Sequence, residues 1–287
     1  MMKKRGFWLV ILFVLGAAAI YQFQDSLGGE TGGDGRIEES SLRTGSSAIQ
    51  VTADQIYQGD LLLVNKKYPV HEHGIKSDVV NLFQRQDLVQ GYGLLNNTIR
   101  LSEEVADKFG TMVAAAEKDG VRHFLISSGY RDAEEQEQLY KERGGDYALP
   151  AGYSEHNLGL SLDIGSSEGE MGEAPEGKWL KKNAWRHGFI LRYPEDKTEI
   201  TGIQYEPWHF RYVGLPHSAI MQENNFTLEE YLSFLKDKGT FSTRVNGEAY
   251  EVSYYPIRKK TSVQVPEDRR YTLSGNNIDG VIVTVYP

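Results

Sequence analysis

Two short segments of the chain carry side chains that together can bind a metal ion and activate water. The first contains His156 and Asp163, and the second contains Glu206 and His209. Two imidazoles and a carboxylate are ligands that zinc accepts, and a hydrolytic zinc site has three protein ligands and a fourth position open to water. A nearby carboxylate that is not a ligand, here Glu206, can act as the general base. These residue types therefore predict a hydrolytic metal site.

The spacing of the first segment requires the backbone to bend. Positions seven apart in a straight strand point to opposite faces of a sheet, so His156 and Asp163 converge only if the chain turns between them. We expect that turn at Gly159, because glycine tolerates backbone angles that other residues avoid. Apolar residues alternate around Asp163, which predicts a strand with the carboxylate on its polar face. In the second segment Pro207 cannot donate a ladder hydrogen bond, which favours a bend or the start of a strand.

Three separated motifs resemble those of the VanY-type zinc D,D-peptidases. Ser154 to Asp163 matches S-x-H-x-x-G-x-x-x-D, and Glu206 to His209 matches E-x-W-H. Ser128 to Gln136 is similar to the family's S-x-Y-R-x4-Q segment. The motifs occur in the family's order, and the similarity spans Ile56 to Gly214. The resemblance implies the zinc D,D-peptidase fold for this region.

The resemblance also implies roles for individual residues. It implies one zinc ion per chain, held by His156, Asp163 and His209, and it implies that Glu206 is the catalytic base. It further implies four residues that face the substrate: Arg131, Gln136, Ser154 and Trp208. A fixed guanidinium such as that of Arg131 can stabilise an oxyanion or grip a substrate carboxylate. Plain structural roles stay open for these four: a surface arginine, an exposed helical glutamine, a turn cap and a packed indole.

The activity that the resemblance implies is that of a membrane-anchored zinc carboxypeptidase. It would remove the terminal D-alanine from peptidoglycan stem pentapeptides that end in D-Ala-D-Ala. Loss of that end removes the target of glycopeptide antibiotics such as vancomycin, so the enzyme would contribute to resistance. Two related alternatives are an L,D-carboxypeptidase that acts on tetrapeptides and an endopeptidase. A third is a non-catalytic cell-wall binding protein, although such a protein has no use for Glu206.

The composition excludes some classes of protein. The 287 residues carry a net charge of −9, which argues against a nucleic-acid partner, because phosphate binding needs clustered basic residues. A hydrophobic content of 40% is ordinary for a globular protein. The chain has no cysteine, so disulfides, thiolate ligands and thiol nucleophiles are excluded.

The N-terminus predicts a location at the bacterial cell membrane. Basic residues at 3–5 precede an uncharged apolar run over 7–23, near the lower length limit for a spanning helix. The basic flank is expected to stay in the cytoplasm, which places the rest of the chain outside. We therefore interpret 1–23 as a single-pass signal anchor. The alternatives are a signal peptide cut near 17–19 and a buried N-terminal helix.

The remaining chain divides by composition into three parts. Residues 24–55 are rich in glycine, serine and acidic residues and are predicted to be a flexible extracytoplasmic tether. Residues 56–238 are predicted to be an α+β catalytic domain. Residues 239–287 are predicted to be a small all-β appendage, since Asn246-Gly247 between two apolar runs is a strong hairpin signal.

Within the catalytic part the pattern predicts several elements. Ser102 can cap a helix that reaches Asp119, and its apolar residues fall on one face. Asp132 and Thr227 each stand three residues before a glutamate, which is the signature of a capping box. Leu61–Val64 and Leu160–Ile164 are predicted to be strands.

Overall fold

Two five-stranded sheets organise the part of the chain that the computed structural model describes, namely residues 35–38, 45–144 and 148–287. These residues belong to one compact unit with a mixed fold of helices and strands. Within the described ranges the α-helices are α1 Glu103–Lys118, α2 Ala133–Arg143, α3 Pro175–Asn183, α4 Thr198–Thr201, α5 His217–Asn224 and α6 Leu228–Lys238. The strands are β1 Ile37–Glu38, β2 Ser46–Thr52, β3 Val79–Asn81, β4 Gly93–Leu94, β5 Arg100–Ser102, β6 Phe124–Ser128, β7 Ser161–Ser166, β8 Phe189–Leu191, β9 His209–Tyr212, β10 Thr240–Val245, β11 Glu248–Pro256, β12 Lys260–Pro266, β13 Tyr271–Gly275 and β14 Gly280–Val285.

The first sheet has the strand order β4-β6-β7-β9-β8. Strands β4 and β6 are parallel, and the other neighbours are antiparallel. Helix α1 covers one face through Phe109 and Met112, which are fully buried with Leu162 and Ile164 of β7. Each such side chain contributes about 1.5–3 kcal/mol when it leaves water. Residues between these apolar positions of β7 therefore point to the opposite face of the sheet.

Three helices begin directly after the cap residues predicted from the sequence. The Ser102 hydroxyl accepts a hydrogen bond from the Val105 amide at the start of α1. Asp132 and Thr227 form the capping boxes of α2 and α6. Each cap joins residues that are three positions apart, so it can be predicted without knowledge of the rest of the fold.

The second sheet, β1-β10-β11-β14-β13, is antiparallel and contains the predicted hairpin. Residues 239–287 are all-β, as expected, but they share a core with the catalytic part. Ile282 of β14 packs with Tyr231 of α6, while Val281 and Val283 pack with Val263 of β12. Strand β14 is thus buried on both faces. The predicted appendage is an integral layer of the compact unit.

The predicted tether over 24–55 is wrong for its last part. Ser46–Thr52 forms β2, which pairs antiparallel with Lys260–Pro266 of β12, and Ile49 lies opposite Val263. The exposure of its residues alternates along the strand, and Val51 is fully buried against the second sheet. Ile37–Glu38 also pairs, with β10. A strand at this position needs a partner more than 200 residues away, which the local composition does not reveal.

The segment Leu61–Val64 is buried but is not a strand, contrary to the prediction. Leu62 and Val64 belong to the core of the first sheet, whereas Leu61 and Leu63 belong to the core of the second. The Leu63 amide donates to the Asn276 carbonyl at 3.2 Å instead of to a ladder. An extended segment between two cores has the same alternation as a strand, so the pattern alone does not separate them.

The predicted anchor, residues 1–23, lies outside the described residues. Among the residues that are described, no helix has the length and apolar character needed to cross a bilayer.

Candidate active site

Three potential metal ligands meet on one face of the first sheet. Asp163 of β7 lies directly opposite His209 of β9 in the antiparallel register. His156 comes from a 3-10 turn just before β7, and the chain reverses at Gly159, whose φ is +83°. Asp163 Oδ1 lies 3.4 Å from His156 Nε2 and 3.0 Å from His209 Nδ1. One ligand atom from each of the three residues lies within 4.8 Å of the other two.

The two imidazoles are hydrogen-bonded to the protein through different ring nitrogens, Nδ1 in His156 and Nε2 in His209. His156 Nδ1 lies 2.6 Å from the Gly129 carbonyl oxygen, so it donates there and leaves Nε2 facing Asp163. His209 has Nε2 at 3.4 Å from Glu155 Oε2 and Nδ1 facing Asp163. Both rings are almost completely buried. Each imidazole therefore presents one defined nitrogen to the same point, as a metal site requires.

The electrostatics of the three ligands favour a cation at this point. Burial alone would raise the pKa of Asp163, but the imidazoles of His156 and His209 hold it well below its usual range. Burial likewise opposes a proton on His209, yet hydrogen bonds to Asp163 and Glu155 raise its pKa to about 9. A largely buried aspartate between two imidazoles thus stabilises positive charge. This donor set suits a divalent zinc ion.

Glu206 lies beside the ligands without joining them. Its Oε2 is 3.8 Å from His209 Nδ1, and a quarter of its side chain is exposed to the adjoining cavity. Burial raises the pKa of Glu206, and the charge of Asp163 adds to this against the pull of His209. A carboxylate with a raised pKa close to a metal can both accept and return a proton. This is the position that a general base would occupy.

Arg131 reaches the same cavity from the start of α2. Its Nε donates to Gln136 Oε1 at 2.8 Å, and its Nη1 donates to the Ser128 hydroxyl. Gln136 is 1% exposed, and its amide donates to the Leu149 carbonyl at 2.6 Å. Burial lowers the pKa of Arg131, while the carboxylates of Asp163 and Glu206 oppose this. Gln136 therefore binds Arg131, and the guanidinium faces the ligands.

The other two predicted substrate contacts border the same cavity. Ser154 is buried, and its hydroxyl caps the 3-10 turn by accepting from the His156 amide at 3.3 Å. Trp208 is 42% exposed. The cavity has a volume of about 330 Å³. All the metal ligands, the base and the substrate contacts predicted from the sequence lie on its wall. Lys66, Tyr193 and the 202–204 loop complete the lining. The wall thus brings together all the candidate site residues.

Four residues that hold the site were missed by the sequence analysis. Glu155 accepts from Arg192 Nε at 2.9 Å and from Arg211 Nη1 at 2.7 Å, and Tyr193 packs its ring 4.9 Å from that of His209. Burial alone would raise the pKa of Glu155, but the two guanidinium groups hold it well below its usual range. A usable signal was present, because Arg192 and Arg211 interrupt otherwise apolar strand segments, and a buried arginine needs an acidic partner.

A mixed fold with a largely buried His-Asp-His cluster, an adjacent glutamate and an arginine on the cavity wall defines a zinc hydrolase. Residues 98–215 match the family model VanY, described as D-alanyl-D-alanine carboxypeptidase. A D-alanyl-D-alanine carboxypeptidase from Enterococcus faecium is 55% identical over 297 aligned positions, covering 100% of this chain and 97% of the relative. The chain belongs to the VanY family of D-alanyl-D-alanine carboxypeptidases.

Two solved structures are similar to this one. The vancomycin-resistance D,D-dipeptidase VanXYg, in complex with a D-Ala-D-Ala phosphinate analogue, has a TM-score of 0.73 and 34% identity, covering 85% of this chain and 100% of that one. A mutant of the D,D-pentapeptidase VanY from a VanB-type resistance cassette, in complex with Zn(II), has a TM-score of 0.50 and 31% identity, covering 60% and 98%. Together with the His-Asp-His cluster, this identifies zinc as the cofactor.

Proposed function

We propose that the protein is a zinc D,D-carboxypeptidase that removes the C-terminal D-alanine from peptidoglycan stem peptides ending in D-Ala-D-Ala. The observation that carries the proposal is the convergence of Glu206 and Arg131 on one cavity beside the three ligands. A binding protein needs neither a proton acceptor nor an oxyanion partner there. The names of the family and of its relatives point to the same substrate.

The residues of the chain supply proton transfer and charge stabilisation. His156, Asp163 and His209 would hold a zinc ion, which would supply Lewis-acid polarisation of the peptide carbonyl and would lower the pKa of water enough for attack near neutral pH. Glu206 accepts the proton of the attacking water and returns it to the leaving amine of D-alanine. Arg131 stabilises the negative charge that develops on the peptide carbonyl, or grips the terminal carboxylate of the substrate.

The proposal extends to the cell. The apolar run over 7–23 serves as a single-pass anchor, and the catalytic part lies outside the bacterial cytoplasmic membrane, where stem pentapeptides are exposed. Removal of the terminal D-alanine takes away the end that vancomycin binds and contributes to glycopeptide resistance. Fractionation of cells that express the full chain or a chain without residues 7–23 tests the anchor. Equal amounts of both chains in the membrane fraction would contradict it.

Glu206→Gln gives the direct test of the chemistry. The amide keeps the shape of the side chain but cannot accept a proton, so release of free D-alanine from a stem pentapeptide is expected to fall by about 10²–10⁴-fold. Zinc content, measured in parallel, is expected to stay at one ion per chain, because Glu206 is not a ligand. Full activity of the variant, or of the wild type after zinc is removed by a chelator, would refute the mechanism.

The choice of substrate separates the proposal from its alternatives. A tetrapeptide without the terminal D-alanine is the substrate of an L,D-carboxypeptidase, and an amidated pentapeptide retains only endopeptidase targets. We expect neither to be cleaved at a rate near that of the free pentapeptide. Faster cleavage of either one would assign the protein to the corresponding class.

A further inference from the structure

A four-residue patch on the first sheet contains two of the three metal ligands. Ser161 and Asp163 are two apart on β7, and His209 and Arg211 are two apart on β9, so each pair shares a face. In the antiparallel register Ser161 lies opposite Arg211, and Asp163 lies opposite His209. Glu155, from the 3-10 turn before β7, bonds to three members of this patch. A buried glutamate is thus placed against the back of the metal site.

Both oxygens of Glu155 are fully used. Oε1 accepts from Arg192 Nε at 2.9 Å and from Arg211 Nη1 at 2.7 Å. Oε2 accepts from the Ser161 hydroxyl at 3.2 Å and lies 3.4 Å from His209 Nε2. The side chains of Glu155, Arg192 and Arg211 are 0% exposed. Because four donors surround the carboxylate of Glu155, its orientation is fixed. In that orientation Oε2 faces Nε2 of His209.

The two arginines are anchored on the side away from the metal site. Arg211 Nη2 donates to the carbonyl oxygens of Asp60 at 2.9 Å and Leu62 at 3.0 Å. Arg192 makes a two-pronged pair with Glu229 at the start of α6, at 2.9 and 2.7 Å. A bidentate pair of this kind fixes position as well as charge. The rigidity of Glu155 therefore comes from α6 and from the segment that joins the two cores.

We infer that Glu155 is a positioning residue for zinc, which holds the Nε2–H of His209 so that Nδ1 is the nitrogen presented to the metal. The inference rests on the zinc site of the proposed function. His156 presents Nε2 because its Nδ1 is bound by the Gly129 carbonyl, and His209 needs the opposite arrangement. Partners of this kind behind a metal-bound imidazole select its tautomer and its ring orientation.

A merely structural role makes a different prediction. Glu155 also balances the charge of two buried arginines, so its loss would lower stability in either case. The affinity of the folded protein for zinc separates the two roles. If Glu155 only neutralises Arg192 and Arg211, a folded variant binds zinc as the wild type does. If it orients His209, the affinity falls even when the fold is retained.

The test is Glu155→Gln in the full chain, with Zn²⁺ alone as the probe and a chromogenic chelator as competitor. The amide has the size of the carboxylate but presents a donor or a weaker acceptor to His209. Zinc affinity is expected to fall by about 10–100-fold, the usual effect of losing such a partner. Glu176→Gln is the matched control: Glu176 is also a buried glutamate that accepts from a serine of β7, Ser166, at 2.8 Å. It is expected to keep wild-type zinc affinity. A folded Glu155→Gln protein with wild-type affinity would overturn the inference.

A measurement on the wild type decides the matter if the variant does not fold. In the zinc-loaded protein, long-range proton–nitrogen correlations of the His209 ring report which nitrogen carries hydrogen. A protonated Nε2 with slow proton exchange is expected, and a metal-bound Nε2 would overturn the inference. Neither readout uses peptide cleavage, so failure of the proposed activity would leave this result unaffected, and the reverse also holds.

Discussion

Arg131 lies on the wall of the candidate cavity and is held there by two hydrogen bonds. Its Nε donates to Gln136 and its Nη1 donates to Ser128, and among the described residues Nη2 donates no hydrogen bond. Gln136 is in turn bound to the Leu149 carbonyl. An arginine fixed through two nitrogens presents the remaining donors in a defined plane. We therefore expect Gln136 to act on the substrate through Arg131.

Gln136→Leu should separate this positioning role from direct substrate binding. Leucine fills the same buried space but releases Arg131 Nε, so the guanidinium is no longer held in the productive plane. We expect kcat/KM for the pentapeptide to fall by about 10–100-fold, the size of effect that a misplacement of about 1 Å produces. Zinc affinity should not change. Gln138→Leu, at an exposed position of the same helix, is the control, and an equal loss in both variants would contradict the argument.

At the residue scale, the sequence indicates which residues could bind the metal and transfer a proton. It does not indicate the buried residues that keep those side chains in position. The metal-ligand candidates and Glu206 stand in short segments with characteristic spacing, so residue types were enough to find them. The arginine partners of Glu155 are 37 and 56 positions away, and their arrangement depends on the pairing of strands. Arginines of this kind become informative only when they are known to be buried.

At the scale of elements, the turn at Gly159 determines whether two ligands converge. Its φ of +83° is in the left-handed region, and a Cβ there would lie 3.1 Å from Val79 Cγ2. Gly159→Ala therefore meets backbone strain and a close contact, and should lower the free energy of unfolding by about 2–4 kcal/mol. Zinc affinity should also fall, because His156 and Asp163 lie on either side of the turn. Urea unfolding and chelator competition measure the two effects.

Gly120→Ala provides the control for this prediction. Its φ is +80°, but nothing lies within 4 Å of a Cβ placed there, so only the backbone strain applies. A loss of about 1–2 kcal/mol with unchanged zinc affinity is expected. Equal losses of stability and of zinc affinity in the two variants would show that the position of Gly159 between the ligands has no special effect.

Elements with local signals were predictable, and elements defined by distant partners were not. Helix α1 has a cap, an apolar face and a glycine stop within 20 residues, so its bounds follow from the sequence. Leu61–Val64 is a continuous apolar run and Ser46–Thr52 alternates in exposure, and both patterns are compatible with a strand, yet only the second segment is one. The difference is the presence of β12 at one edge, which no local pattern encodes.

At the scale of the whole molecule, His217 of α5 joins the helices to the second sheet. Its Nδ1 lies 2.7 Å from the Tyr231 hydroxyl of α6, and its Nε2 lies 2.9 Å from the Thr284 hydroxyl of β14. A neutral ring satisfies both contacts, since one nitrogen donates and the other accepts. Burial lowers the pKa of His217 to about 3. The junction between the two layers therefore depends on an uncharged histidine.

This arrangement predicts how stability depends on pH. Above an unfolded-state pKa of about 6.5 the ring is neutral in both states and has no effect on the slope. As the pH falls below that value, the unfolded chain takes up the proton and the folded chain does not, so stability decreases down to the folded pKa of about 3. Between pH 7 and pH 5 this one group should remove about 2 kcal/mol from the free energy of unfolding.

His217→Gln removes the titrating ring but keeps an amide that can bond to both hydroxyls. The variant should be less stable than the wild type at pH 7, and the difference should shrink by about 2 kcal/mol at pH 5, because only the wild type loses this contribution. Urea unfolding at both pH values, with zinc held constant, measures the difference, and pH effects at the metal site cancel because both proteins share them. His73→Gln, at an exposed position, should leave the wild-type slope unchanged. Parallel pH profiles for the wild type and His217→Gln would mean that His217 takes up its proton in the folded protein as readily as in the unfolded chain, and that the two layers tolerate a cation between them.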